Sequence, residues 1–128
     1  MKVNVILYVK DQRASARFYS EVLGKRPRLD VPGMTEFALV DGCVLGLMPQ
    51  AGARRLLGAT TPDPSEGSGI PRAEIYLTVG DPAARHLNAL RAGAKELSPL
   101  TRRDWGDEAA YSMDPDGHVL AFARAVPG

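Results

Sequence analysis

The chain has 128 residues and 13.7 kDa, 45% hydrophobic and 24% charged. That size buries roughly two-thirds of the unfolded surface, so no disulfide or structural metal is needed to fold it. Sixteen Lys and Arg against fifteen Asp and Glu leave a net charge of +1, which argues against a broad nucleic-acid surface. The single cysteine, Cys43, excludes an internal bridge. Neither a basic-then-apolar leader nor a run of about 18 apolar residues appears, so a single cytoplasmic domain that meets no membrane is expected.

In chain order, residues 3–9 read as a strand rich in Val, Ile, Leu and Tyr. Asp11 then opens a helix whose apolar positions Ala14, Phe18 and Val22 recur every four residues until Gly24 stops it. A short strand is expected at residues 26–31, and a hairpin at 37–47 turning at Asp41-Gly42. Residues 49–71, rich in Gly, Pro, Ser and Thr, read as a loop crossing the surface. The order then repeats: a strand at 75–79, Asp81 opening a helix with Pro82 at its first position, and a stripe of Ala83, Leu87 and Leu90 ended by Gly93. A strand at 95–100 and a hairpin at 111–122 with Asp116-Gly117 in its turn complete the second half. Each half reads strand, helix, strand, strand, strand. The class is therefore α+β, with module one at 1–49, a connecting loop at 50–71 and module two at 72–128.

Asp11, Phe18-Tyr19 and Leu23-Gly24 in the first half, with Asp81, Gly93-Ala94 and Asp114-Pro115-Asp116-Gly117 in the second, resemble the vicinal oxygen chelate superfamily. That superfamily includes glyoxalase I, extradiol dioxygenases and the bleomycin and fosfomycin resistance proteins. The resemblance implies two βαβββ modules forming curved sheets around a cleft, with cleft-facing strand side chains carrying the site. Four positions typically supply His and Glu ligands in the metal enzymes of the superfamily. The repeat puts Asn4 and Glu74 seven residues before each helix-opening Asp, and Gly46 and Ala121 four residues after each hairpin Gly. Only Glu74 is a strong donor and Asn4 a weak neutral one, so no metal cofactor is expected, a divalent ion being the alternative.

The remaining donors do not rebuild such a site. His86 reads as a solvated helix residue, His118 alternates away from the row of Ala121, and Cys43 reads as a small core hydrophobe. Alternation sends Val3, Val5, Leu7 and Val9 toward the helices, with Asn4, Ile6 and Tyr8 on the other row; Ile75, Leu77 and Val79 likewise oppose Glu74, Tyr76 and Thr78. A row of Tyr, Ile, Asn and Thr suggests a sheltered concave face, and Gly46 and Ala121 are expected to open volume at its middle. Trp105, in a loop flanked by Arg102, Arg103, Asp104 and Asp107, is expected at its rim; the arginines receive no role.

Three readings follow. The preferred one, resembling the bleomycin resistance branch, is a metal-free homodimeric protein that sequesters an aromatic or amphipathic small molecule through Asn4, Tyr8, Gly46, Glu74, Tyr76, Trp105 and Ala121. The second is a glyoxalase-type lyase, isomerase or dioxygenase, using a divergent metal site or Glu74 as the catalytic base. The third is a homodimeric interaction module without a ligand.

Overall fold

The computed structural model describes residues 1–127. The chain divides into two compact units, Met1–Ser68 and a second that begins at Gly69. The first contains β1 (Val3–Val9), α1 (Gln12–Leu23), β2 (Leu29–Val31), β3 (Met34–Val40), β4 (Cys43–Pro49), α2 (Gln50–Leu57) and a 3-10 turn at Pro64–Gly67. The second contains β5 (Glu74–Thr78), α3 (Pro82–Ala92), β6 (Lys95–Arg102), β7 (Asp107–Met113) and β8 (Val119–Ala125). Each unit builds a four-stranded sheet, ordered β1-β4-β3-β2 and β5-β8-β7-β6. The first strand runs parallel to the last and the others are antiparallel. The fold is thus α+β, a βαβββ module repeated.

Capping fixes both long helices where the sequence places them. Asp11 Oδ1 accepts from the Ala14 amide at 3.0 Å and Asp81 Oδ1 from the Ala84 amide at 3.1 Å, each satisfying an N–H that the first turn would leave bare. Gly24 and Gly93 end them in the left-handed region, at φ 65° and 119°. α1 buries Ser15, Phe18, Tyr19, Val22 and Leu23 and leaves Ala14 exposed. Phe37, Leu45 and Leu47, wholly buried, form the sheet face on that side, and each such side chain contributes about 1.5–3 kcal/mol of burial.

Three expectations need correction. The first concerns strand rows. Leu7 and Val9 are buried, but Val3 and Val5 remain 46% and 44% exposed, because α1 packs over β3 and β4 and β1 is a terminal strand. Secondly, the connecting segment is not all loop. Gln50–Leu57 forms α2, which buries Ala53 against its unit and pairs Arg54 with Asp63 at 2.7 Å. Its Gln, Ala, Arg and Leu favour helix strongly enough to carry Gly52 in the interior, Pro49 and Gly58 bound it, and the other Pro and Gly that suggested a loop follow it. Thirdly, α3 is turned by about one residue. Pro82, His86 and Ala89 face the sheet, while Ala83 and Leu87 point outward. His86 is buried, not solvated: its Nε2 meets Glu96 Oε2 at 2.9 Å, and Arg85 lies 5.7 Å from the Phe122 ring centre. The helix presents the side chains that can pair with Glu96 and Phe122, which an apolar period alone does not reveal.

The two hairpins turn differently. Asp41-Gly42 is a two-residue connection with Gly42 at φ 79°. The second spans five residues, and Asp114 organises it: Oδ1 accepts from the Asp116 and His118 amides and Oδ2 meets His118 Nδ1, each at 2.9 Å. Burial by itself would lower the His118 pKa, but the Asp114 carboxylate, with Asp116 nearby, holds it above the usual 6.5. A raised folded-state pKa stabilises the fold fully below pH 6.5, and the gain is lost as pH rises through the folded value. Urea midpoints are therefore expected to fall between pH 6 and pH 8.5, and a His118→Gln chain, measured identically, should lose part of that slope.

Candidate functional site

In the second unit the register defines the sheet face opposite α3. Tyr76 stands beside Ala121 and Ala121 beside Tyr111, while Glu74, Val119 and Met113 form the next rung. Tyr76, Ala121, Glu74 and Trp105 therefore belong to one surface. The loop before β7 turns through Gly106 at φ 94° and delivers Trp105, whose Nε1 donates to the Tyr76 hydroxyl at 2.9 Å. That hydroxyl in turn donates to Asp107 Oδ2 at 2.6 Å. Burial and the Asp107 bond both raise the Tyr76 pKa, so the phenol stays protonated at neutral pH and its proton is committed to Asp107. The indole remains 59% exposed.

Tyr111 flanks the same surface, with the Arg103 guanidinium 5.0 Å from its ring centre. Arg103 donates to the Ala109 carbonyl at 2.7 and 3.1 Å, to Ser98 Oγ at 2.9 Å and to the Pro99 carbonyl at 3.0 Å, so it serves the loop and not an incoming anion. Burial, and then the negative charge of Glu74, raise the Tyr111 pKa. Glu74 itself is exposed, contrary to the expectation of a sheltered carboxylate. Ala121 is completely buried between its two tyrosine neighbours and opens no volume.

The first unit displays Asn4, Ile6 and Tyr8 of β1 on its corresponding face. Tyr8 and Ile6 are half-buried and Asn4 is exposed. Gly46 sits between Ile6 and Glu36. A side chain added at Gly46 would start 2.5 Å from Ile6 Cδ1 and 3.1 Å from Met34 Sδ, so the glycine admits its neighbours and leaves no void. Glu36, absent from the sequence-based set, is 8% exposed. Its Oε1 accepts from Arg28 Nε at 2.9 Å, and its Oε2 accepts from Asn4 Nδ2 at 3.3 Å. A β-bulge between Ala38 and Val40 pairs Glu36 with Gly46 and turns Phe37 into the core.

As for metal donors, Glu74 stands opposite Val119 and Ala121 opposite Tyr76, while Asn4 is engaged with Glu36. Among the described residues, no three His, Cys, Asp or Glu side chains converge. A groove of about 650 Å³ lies elsewhere in the first unit, lined by Gln12, Arg13, Arg17, Asp30 and Val31, and none of the expected site residues borders it. Of the groups that sequence reasoning missed, Tyr111 was accessible, since it lies across an unbroken ladder from Ala121. Asp107 and Glu36 were not, since one depends on a loop turn and the other on the bulge.

Among the described residues no helix is long and apolar enough to cross a membrane. The model of a glyoxalase-like domain matches residues 4–123. A glyoxalase-related enzyme from Fulvimarina pelagi has a solved structure with a TM-score of 0.82 and 24% identity, covering 97% of this chain and 87% of that one. A glyoxalase/bleomycin resistance protein/dioxygenase from Nocardioides gives 0.80 at 19% identity, covering 100% and 85%. These two share the fold. An uncharacterized protein of Mycobacterium tuberculosis is 33% identical over 72 residues, 56% of this chain and 42% of that protein, so the chain spans less than half of the relative it matches. Because the match runs through both βαβββ units, the chain belongs to the glyoxalase-like domain family of the vicinal oxygen chelate superfamily.

Proposed function

We propose that this chain binds and sequesters a flat aromatic or amphipathic small molecule, with the family's metal site degenerate and no chemistry performed on the ligand. The observation that carries this reading is the exposed indole of Trp105, fixed by its bond to Tyr76, which Asp107 holds in turn. A large aromatic surface that is both exposed and oriented loses little conformational freedom on stacking, and an aromatic pair adds about 0.5–1.5 kcal/mol beyond the area it buries. Exposed Glu74 on the same face favours ligands with a cationic substituent. Of the four positions equivalent to the superfamily's ligands, Glu74 alone supplies an anionic oxygen, which supports metal-free binding.

Titration of Trp105 fluorescence with a panel of planar aromatic compounds tests the reading. At least one compound is expected to quench or shift the emission saturably. Its affinity, read by calorimetry, should fall about tenfold or more in Trp105→Ala, the equivalent of about 1.4 kcal/mol. Silence across the whole panel overturns the reading. Metal analysis of protein purified without chelator is expected to find no stoichiometric ion. Stoichiometric nickel, zinc, iron or manganese that disappears in Glu74→Gln would instead support the metal-dependent lyase or dioxygenase. Pairing of two copies in the cytoplasm belongs to the same proposal, supported by the terminal strand β1, whose Val3 and Val5 remain uncovered. Sedimentation at micromolar concentration is expected to give the mass of a dimer.

A further inference from the structure

Glu36 lies on the open face of the first unit with Gly46, Ile6 and Met34 around it. A carboxylate taken out of water among apolar side chains is costly unless both oxygens are well satisfied. Here they are not treated alike. Oε1 receives both Nε and Nη2 of Arg28, each at 2.9 Å, and the Arg28 amide also donates to the Glu36 carbonyl at 2.7 Å. Among the described residues Oε2 receives only Asn4, at 3.3 Å and from an exposed side chain. A carboxylate oxygen accepts about two hydrogen bonds, so Oε2 retains capacity. The groups covering Gly46 beside it are the far ends of Ile6 and Met34, which rotate aside more readily than backbone.

We propose that Glu36 is a specificity-determining acceptor, whose Oε2 takes a hydrogen bond from an uncharged donor on an aromatic ligand, such as a phenol O–H or a ring N–H, seated on Ile6 and Met34. Arg28 is the positioning residue: it fixes the carboxylate and cancels its charge, so a neutral donor is favoured here over a cation. Exposed Glu74 has the opposite preference. This inference rests on the binding reading above and names the ligand chemistry that the first unit selects.

The test compares 2-naphthol with 2-methoxynaphthalene, which differ by one donor, titrated into the full chain while the backbone amides of Ile6 and Gly46 and the Trp105 indole are followed by NMR. The naphthol is expected to bind about tenfold tighter and to move the Ile6 and Gly46 signals. The double variant Glu36→Met with Arg28→Met removes both charges together, so neither is left buried alone. It should keep a folded spectrum and bind the two compounds equally. Glu36→Gln, which keeps an acceptor, should retain part of the preference and serves if the double variant does not fold. Equal affinities in the unaltered chain, a preference that survives in the double variant or is undiminished in Glu36→Gln, or shifts confined to Trp105 would overturn the Glu36 inference alone. A silent fluorescence panel overturns the binding reading itself, and silence at every one of these signals as well overturns both.

Discussion

Gly117→Ala is expected to destabilise the second unit by about 2–5 kcal/mol, the sum of two separable effects. Gly117 has φ 97°, where any residue with a Cβ is strained by about 1–2 kcal/mol. The added methyl would also stand 2.6, 2.7 and 2.9 Å from Cα, C and N of Gly69. Those atoms are backbone, anchored because the Gly69 amide donates to the Asp116 carbonyl at 2.9 Å, so they cannot rotate away. Overpacking of that kind costs about 1–3 kcal/mol more. Gly42→Ala is the control. Its φ of 79° imposes the same kind of strain, but the nearest atom to its Cβ is the Met1 carbonyl oxygen at 3.7 Å. Urea unfolding, followed by Trp105 fluorescence for Gly117→Ala and by circular dichroism for both, should show the larger loss at Gly117. Equal losses would mean that Gly69 yields without cost.

Phe37→Ala should cost the first unit about 3–5 kcal/mol, the usual range for emptying a phenylalanine site. Phe37 has no exposed surface and stands opposite Leu45 on the face that α1 covers. With about 1–3 kcal/mol lost per molar urea, the midpoint should fall by more than about 1 M. Deleting Leu39 is expected to do far less, though it lies two residues away. Ala38 pairs with Val44 and Val40 with Cys43, so Leu39 is the extra residue of the bulge, and its removal leaves a regular ladder. If the deletion costs as much as Phe37→Ala, the bulge carries twist that the sheet requires.

The same bulge marks where sequence reasoning ends. Helix starts at Asp11 and Asp81, stops at Gly24 and Gly93, and the turn at Asp41-Gly42 are local signals, written in a few adjacent residues, and they fixed the βαβββ order. Sheet register is not local. Counting outward from the Asp41-Gly42 turn without a bulge puts Phe37 beside Gly46 and sends Glu36 toward the helix. Burial of Phe37 reverses both placements at the expense of one unpaired residue. The rotation of α3 has a similar origin, since the choice between His86 and Leu87 depends on Glu96, ten residues from His86 and on the following strand β6. Trp105 and Tyr76 were each singled out as aromatic, yet their connection through a hydroxyl that Asp107 anchors needs a loop conformation that composition does not encode.

The self-contained capping of the two helices has a consequence for how such a chain can change. Each half carries its own start, stop and turn instructions, so substitutions on one outer face need not be matched in the other. The surface with Glu36 and Arg28 and the surface with Trp105, Tyr76 and Asp107 already differ on a common backbone plan. A duplicated scaffold of this type can acquire new chemical preferences one half at a time, while its sibling preserves the old.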